Sequence, residues 1–307
     1  MKKVYKILAN HIGEDFHLGI YLSTAIFLAA SLTLNFFLDI ENSFIDKYYG
    51  SDLRILWYFL LYSFAFYSTA FVVSYFRKDK FIKKPLFWIF SLAGVFAISF
   101  DAGFHRLNDV AQNFPVPVNN FVFKLISNLR SFATIFIPIF LFKTWIDKNR
   151  NGWYGLKNEN PYLKSYIYLL AFMIPLLLWA SSQDGFLRKY PFYNDYDSHL
   201  YLNWPEWILA LVYELSYGWD LMMVEYVFRG FMVIGLSSVI GKEAILPMVS
   251  MYAFLHFGKP LPEILGSIFG GYILGIIAFC SRNIWGGVFI HIGIAWMMEL
   301  FAYLRKL

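Results

Sequence analysis

An all-α polytopic membrane protein is predicted, with eight or nine transmembrane helices and a polar intramembrane cavity in the C-terminal half. Three observations predict it. The 307 residues are 59% hydrophobic, 21% aromatic and only 15% charged, with a mean hydropathy of +0.51, whereas a soluble domain carries roughly a quarter charged residues. Apolar runs long enough to span a bilayer recur from end to end. The ionisable residues that do fall inside apolar runs concentrate after residue 205.

The expected spans are 18–39, 55–76, 86–101, 121–143, 163–181, 206–236, 244–257, 262–280 and 284–304. The 244–257 run is short for a hydrocarbon core of about 30 Å, and 206–236 is long enough to tilt or break in two, which leaves the count at eight or nine. Lys2, Lys3 and Lys6 precede the first span; Arg77, Lys78, Lys80, Lys83 and Lys84 follow the second; Lys143, Lys148, Arg150 and Lys157 follow the fourth. The alternate loops, 40–54, 102–120 and 182–205, are poorer in positive charge, so the N-terminus is expected in the cytoplasm and the protein in the cell membrane. The net charge of +5 comes from these short clusters, a membrane-topology pattern, and no nucleic-acid partner is expected. No removable signal peptide is read in the basic, then polar, N-terminus. Cys280, the single cysteine, excludes an intrachain disulfide and is expected to pack as a small apolar residue.

Residues 1–205 form the expected scaffold, and 206–307 the expected catalytic or binding helices. In loop 182–205, Asp195, Asp197 and His199 alternate as cation ligands would, but a solvated loop with interfacial aromatics is the favoured reading. Gly266-xxx-Gly270 and Gly271-xxx-Gly275 bring helix 262–280 close to a neighbour.

VEYVFRGF, residues 224–231, places Glu225 and Arg229 one turn apart on an apolar helix, where each offsets the burial of the other. An ionisable side chain at a helix centre costs about 2.5–3.5 kcal/mol on insertion scales, so such groups read as functional or paired. His256 and His291 follow on the next apolar segments. Two histidines and a carboxylate suit either zinc, with His256, His291 and Glu225 as candidate ligands, or direct activation of water by a carboxylate base beside a histidine. No HExxH is present. Glu214, Asp220 and Glu299 rank lower as cavity residues, and Lys259 as a substrate-carboxylate partner.

These residues resemble the CAAX-processing endopeptidase and bacteriocin-processing family of intramembrane proteases, the Ras-converting-enzyme type. That family shows EExxxRG, then FxxxH, then a final HxxxN or HxxxD; here VEYVFRG (224–230), YAFLH (252–256) and HIGIA (291–295) stand in that order. The resemblance spans roughly residues 206–304. It implies an endopeptidase that cleaves peptide bonds near the bilayer surface, with His256 holding water, His291 stabilising the oxyanion and Arg229 orienting Glu225. Two positions depart: Val224 stands at the leading glutamate, and Ala295 at the final asparagine or aspartate. Three accounts stay open. Glu225 is the base, if its helix is rotated, since adjacent helical positions point about 100° apart. Or Glu263 supplies the carboxylate after the Gly258–Pro260 turn. Or the protein is a catalytically silent relative that binds or scaffolds a membrane peptide or protein partner. A transporter is a weaker alternative.

Overall fold

The computed structural model describes residues 2–148, 152–156, 163–194 and 196–307; Arg150, Lys157 and Asp195 of the sequence reading lie outside them. The described residues are helical with no strand. In chain order the α-helices are α1 Lys2–Asp15, α2 Leu18–Leu38, α3 Leu53–Arg77, α4 Pro85–Gly103, α5 Val116–Leu129, α6 Ile137–Trp145 and α7 Leu163–Ala180. They continue as α8 Asp184–Lys189, α9 Ser198–Leu202, α10 Glu206–Glu225, α11 Ser237–Ile240, α12 Ile245–Phe254, α13 Leu261–Ser281 and α14 Trp285–Lys306. This is an integral membrane protein. Among the described residues seven stretches are long and apolar enough to cross a bilayer, against the eight or nine expected. One of the seven, the 49-residue Glu206–Phe254, takes in both 206–236 and 244–257, and Lys164–Ala180 is a further apolar helix within the 163–181 segment.

The chain divides into two compact units, each drawing on segments distant in sequence. The first comprises 1–104, 134–161 and 225–285. Its centre is the segment after α10, a wide π-helix over Tyr226–Gly235, closed by a bond from Leu236 N–H to Phe231 O at 3.0 Å, five residues back. Every residue from Glu225 to Ser237 is buried, as expected of a helix that is apolar all round. Phe231 packs between Phe90 of α4, Phe142 of α6 and Tyr154, at ring separations of 5.5, 5.0 and 5.2 Å. After Gly241, whose φ of +63° suits glycine, the chain turns and α12 packs back on the π-helix. Thr69 of α3 and Ser250 of α12 share a hydroxyl bond of 2.7 Å, which satisfies both in an apolar interior.

The expected small-residue contact on α13 holds for one pair and not the other. A β-carbon on Gly271 would stand 3.1 Å from Tyr252, and one on Gly275 2.9 Å from Met248, whereas Gly266 and Gly270 have nothing within 4 Å. Both pairs have the same spacing, but only the first lies on the face toward α12. Cys280 is exposed rather than packed, on an outward face of the same helix.

The amphipathic α1 is tied down by ion pairs. Asp15 meets Arg77 at the end of α3 and Lys242 (2.8 Å), and Arg77 also meets Glu243 at 3.1 Å. His11 lies among Asp15, Lys242, Glu14 and Arg77, and burial holds its pKa below the ordinary 6.5 despite Asp15. A depressed histidine pKa contributes stability that is present above the unfolded value and lost as pH falls through it. Hydrogen exchange of the α1 amides, corrected for intrinsic rate, should therefore be several-fold faster at pH 5.5 than at 7.5. A His11→Phe variant should abolish that difference.

The second unit comprises 105–133, 162–224 and 286–307. Phe121, Leu209 and Tyr213 form one of its apolar clusters, and Phe186, Tyr190 and Ala302 another. Glu299 receives the N–H groups of Phe192 and Tyr193 at 2.8 and 3.0 Å, so it caps a loop. Trp296 Nε1 donates to Glu214 O at 3.2 Å.

Candidate functional site

Glu225 ends α10 and Arg229 follows one turn on, where the helix has widened. Arg229 Nη1 is 2.9 Å from Glu225 Oε1, and the two side chains are 1% and 0% exposed. The guanidinium carbon also stands 4.2 Å from the centre of the Tyr252 ring, a desolvated cation–π contact worth about 2 kcal/mol. Gly271 makes room for this stack, because a β-carbon there would press on Tyr252 and approach Arg229 Nη2 to 3.9 Å.

Tyr252 leads on to His256. The two rings are 4.6 Å apart at 69°, and His256 Nδ1 is 2.8 Å from Tyr252 O. A carbonyl only accepts, so Nδ1 carries the hydrogen. His256 sits just beyond the C-terminus of α12, half-buried, on a turn closed by Lys259 N–H to His256 O at 2.9 Å. Glu225, Arg229, Tyr252 and His256 thus form one chain of contacts from a sealed ion pair to a partly exposed imidazole. Tyr252 was not singled out in the sequence; its position four residues before His256, at the aromatic place of YAFLH, was the available signal.

Glu263 lies in the first turn of α13, and its carboxylate is 3.1 Å from Lys259 Nζ. The same pair accounts for Lys259, which the sequence offered as a substrate-carboxylate partner. His291, partly buried, and Ala295, buried, lie on α14 in the second unit, as do Glu214, Asp220, Val224 and Glu299. Asp197 and His199 lie at the start of the short α9.

Among the described residues no group of three His, Cys, Asp or Glu side chains is arranged to hold a metal ion. Glu225 is bridged to Arg229 instead. The described residues therefore do not fit the zinc site considered from the sequence.

No curated protein and no solved structure matches the chain. A family model does match, that of the type II CAAX prenyl endopeptidase Rce1-like proteins, over residues 221–297. That segment holds Glu225, Arg229, His256 and His291, so the resemblance to the CAAX-processing endopeptidase family, read from VEYVFRG, YAFLH and HIGIA, is established for the helices that carry the polar residues.

Proposed function

We propose that this protein is an intramembrane endopeptidase that hydrolyses peptide bonds at or near the bilayer surface. The observation that carries the reading is the orientation of His256. Its Nδ1–H is fixed on the Tyr252 carbonyl at 2.8 Å, which sets the half-buried ring at the end of α12. Such a ring accepts a hydrogen bond from water and positions the water oxygen for attack on a carbonyl carbon. Arg229, stacked on Tyr252 and bridged to Glu225, holds this arrangement from below. Glu225 supports rather than reacts, because its carboxylate is fully buried and already bridged to the Arg229 guanidinium. Glu263 is partly exposed and remains a candidate base. The family pattern assigns His291 to the oxyanion. The arginine and lysine distribution supports a cell-membrane location with the N-terminus in the cytoplasm.

Purified protein in lipid nanodiscs, given a quenched fluorescent peptide ending in a farnesylated Cys-aliphatic-aliphatic-X sequence, tests the reading. Cleavage should occur, and His256→Ala should lower kcat/KM by about 10²–10⁴ without unfolding the protein. Rates unchanged in His256→Ala, His291→Ala and Glu263→Gln together would overturn it. The second reading is a silent membrane protein that binds a peptide or protein partner, favoured by Val224 in place of the leading glutamate. It expects capture of the same peptide without hydrolysis.

A further inference from the structure

The turn that carries His256 is clasped by a segment between the first two spanning helices. Asn35, buried on α2, donates Nδ2 to Phe257 O at 3.1 Å. Glu41, in the helical turn Ile40–Ile45, accepts the N–H of Gly258. Its Oε2 stands 3.0 Å from where a β-carbon on Gly258 would lie, so glycine keeps the turn open to the carboxylate. Its Oε1 receives the Tyr58 hydroxyl at 3.0 Å. Gly258 N–H is only two residues beyond His256, which puts the Glu41 carboxylate within about 8 Å of the His256 Cα. An imidazole and one water span that distance.

Resting on the endopeptidase reading above, we infer that Glu41 is the carboxylate that works with His256 on the attacking water, in the role Val224 leaves vacant. As the water oxygen bonds to the scissile carbonyl carbon, Glu41 takes the water proton and the carbonyl electron pair moves to oxygen. The pair then returns, the C–N bond breaks, and Glu41 gives its proton to the departing amine, regenerating the carboxylate. Two features suit it better than Glu263. Glu41 is half-buried beside the turn itself, and burial raises its carboxyl pKa against the opposing donors Tyr58 and Gly258, with Asp46 adding to the rise. The nearby cation Arg54 is engaged by Asp46 at 3.0 and 2.8 Å, whereas Glu263 faces Lys259 directly.

The test reads His256 itself. Full-length protein in nanodiscs, with ¹³C-labelled histidine and the His256 signal assigned by its loss in His256→Gln, is titrated as wild type, Glu41→Gln and Glu263→Gln. An adjacent carboxylate favours the imidazolium, so Glu41→Gln should lower the His256 pKa by about one unit and Glu263→Gln by less. In the same preparation Glu41→Gln should lower kcat at least about 100-fold, with KM and thermal unfolding temperature little changed. A His256 titration unmoved in Glu41→Gln overturns the inference while leaving the endopeptidase reading standing on His256→Ala. An unfolding temperature that drops along with activity, with the titration unmoved, makes Glu41 a clamp on the turn and overturns it equally. A shifted titration with cleavage indifferent to His256 defeats the endopeptidase reading, and the base role with it.

Discussion

Arg229→Met should be the most damaging single substitution in the first unit, costing about 3–5 kcal/mol of stability. The methionine fills much of the same volume, so the loss is electrostatic. It removes the cation bridged to the Glu225 carboxylate on a helix where every residue from 225 to 237 is buried. Glu225→Leu should be comparably harmful, for it strands the guanidinium. The double variant Glu225→Leu/Arg229→Met should recover most of the loss, since two well-packed apolar side chains are often as stable as a buried ion pair. Unfolding by denaturant titration in detergent measures the cycle. Single variants within about 1 kcal/mol of wild type would mean that water reaches the pair.

The second large effect is steric. A β-carbon on Gly230 would lie 2.7 Å from Tyr154 O, a backbone atom that cannot swing aside. Tyr154 is itself anchored: its hydroxyl donates to Asp147 Oδ2 at 2.8 Å, Lys143 lies 3.4 Å from the same oxygen, and Gly155 O accepts Ile284 N–H at 3.1 Å. Gly230→Ala should therefore cost about 1–3 kcal/mol through overpacking, and Gly230→Val more. Gly270→Ala is the matched control, because nothing lies within 4 Å of its β-carbon. It should gain about 0.5–1 kcal/mol from reduced backbone freedom. Equal thermal unfolding temperatures for Gly230→Ala and wild type would refute the tight contact.

Much of this molecule was legible as pattern. Hydrophobic runs located the helices, whereas 206–236, long enough to tilt or break in two, runs on as α10 and the π-helix after Glu225. The Glu225–Arg229 pair followed from spacing and the cost of burying charge. What stayed hidden depended on direction. GxxxG spacing cannot say which helix face meets a neighbour, so Gly266 and Gly270 read the same as Gly271 and Gly275. Tyr252 passed as one more apolar ring, although its carbonyl and its π-face join His256 to Arg229. Glu41 carries no local signal in loop 40–54, because its partners, Tyr58 and Gly258, stand 17 and 217 positions away.

The sealed ion pair has a consequence for descent. If either charge alone is ruinous to lose and both together are tolerable, a lineage cannot shed the pair one step at a time. A relative that has abandoned peptide hydrolysis would go on carrying Glu225 and Arg229 for the sake of the fold. The pair would then mark ancestry and say little about activity, and a survey of related chains would sort the working from the retired by the imidazole at 256 and the acid proposed to work with it.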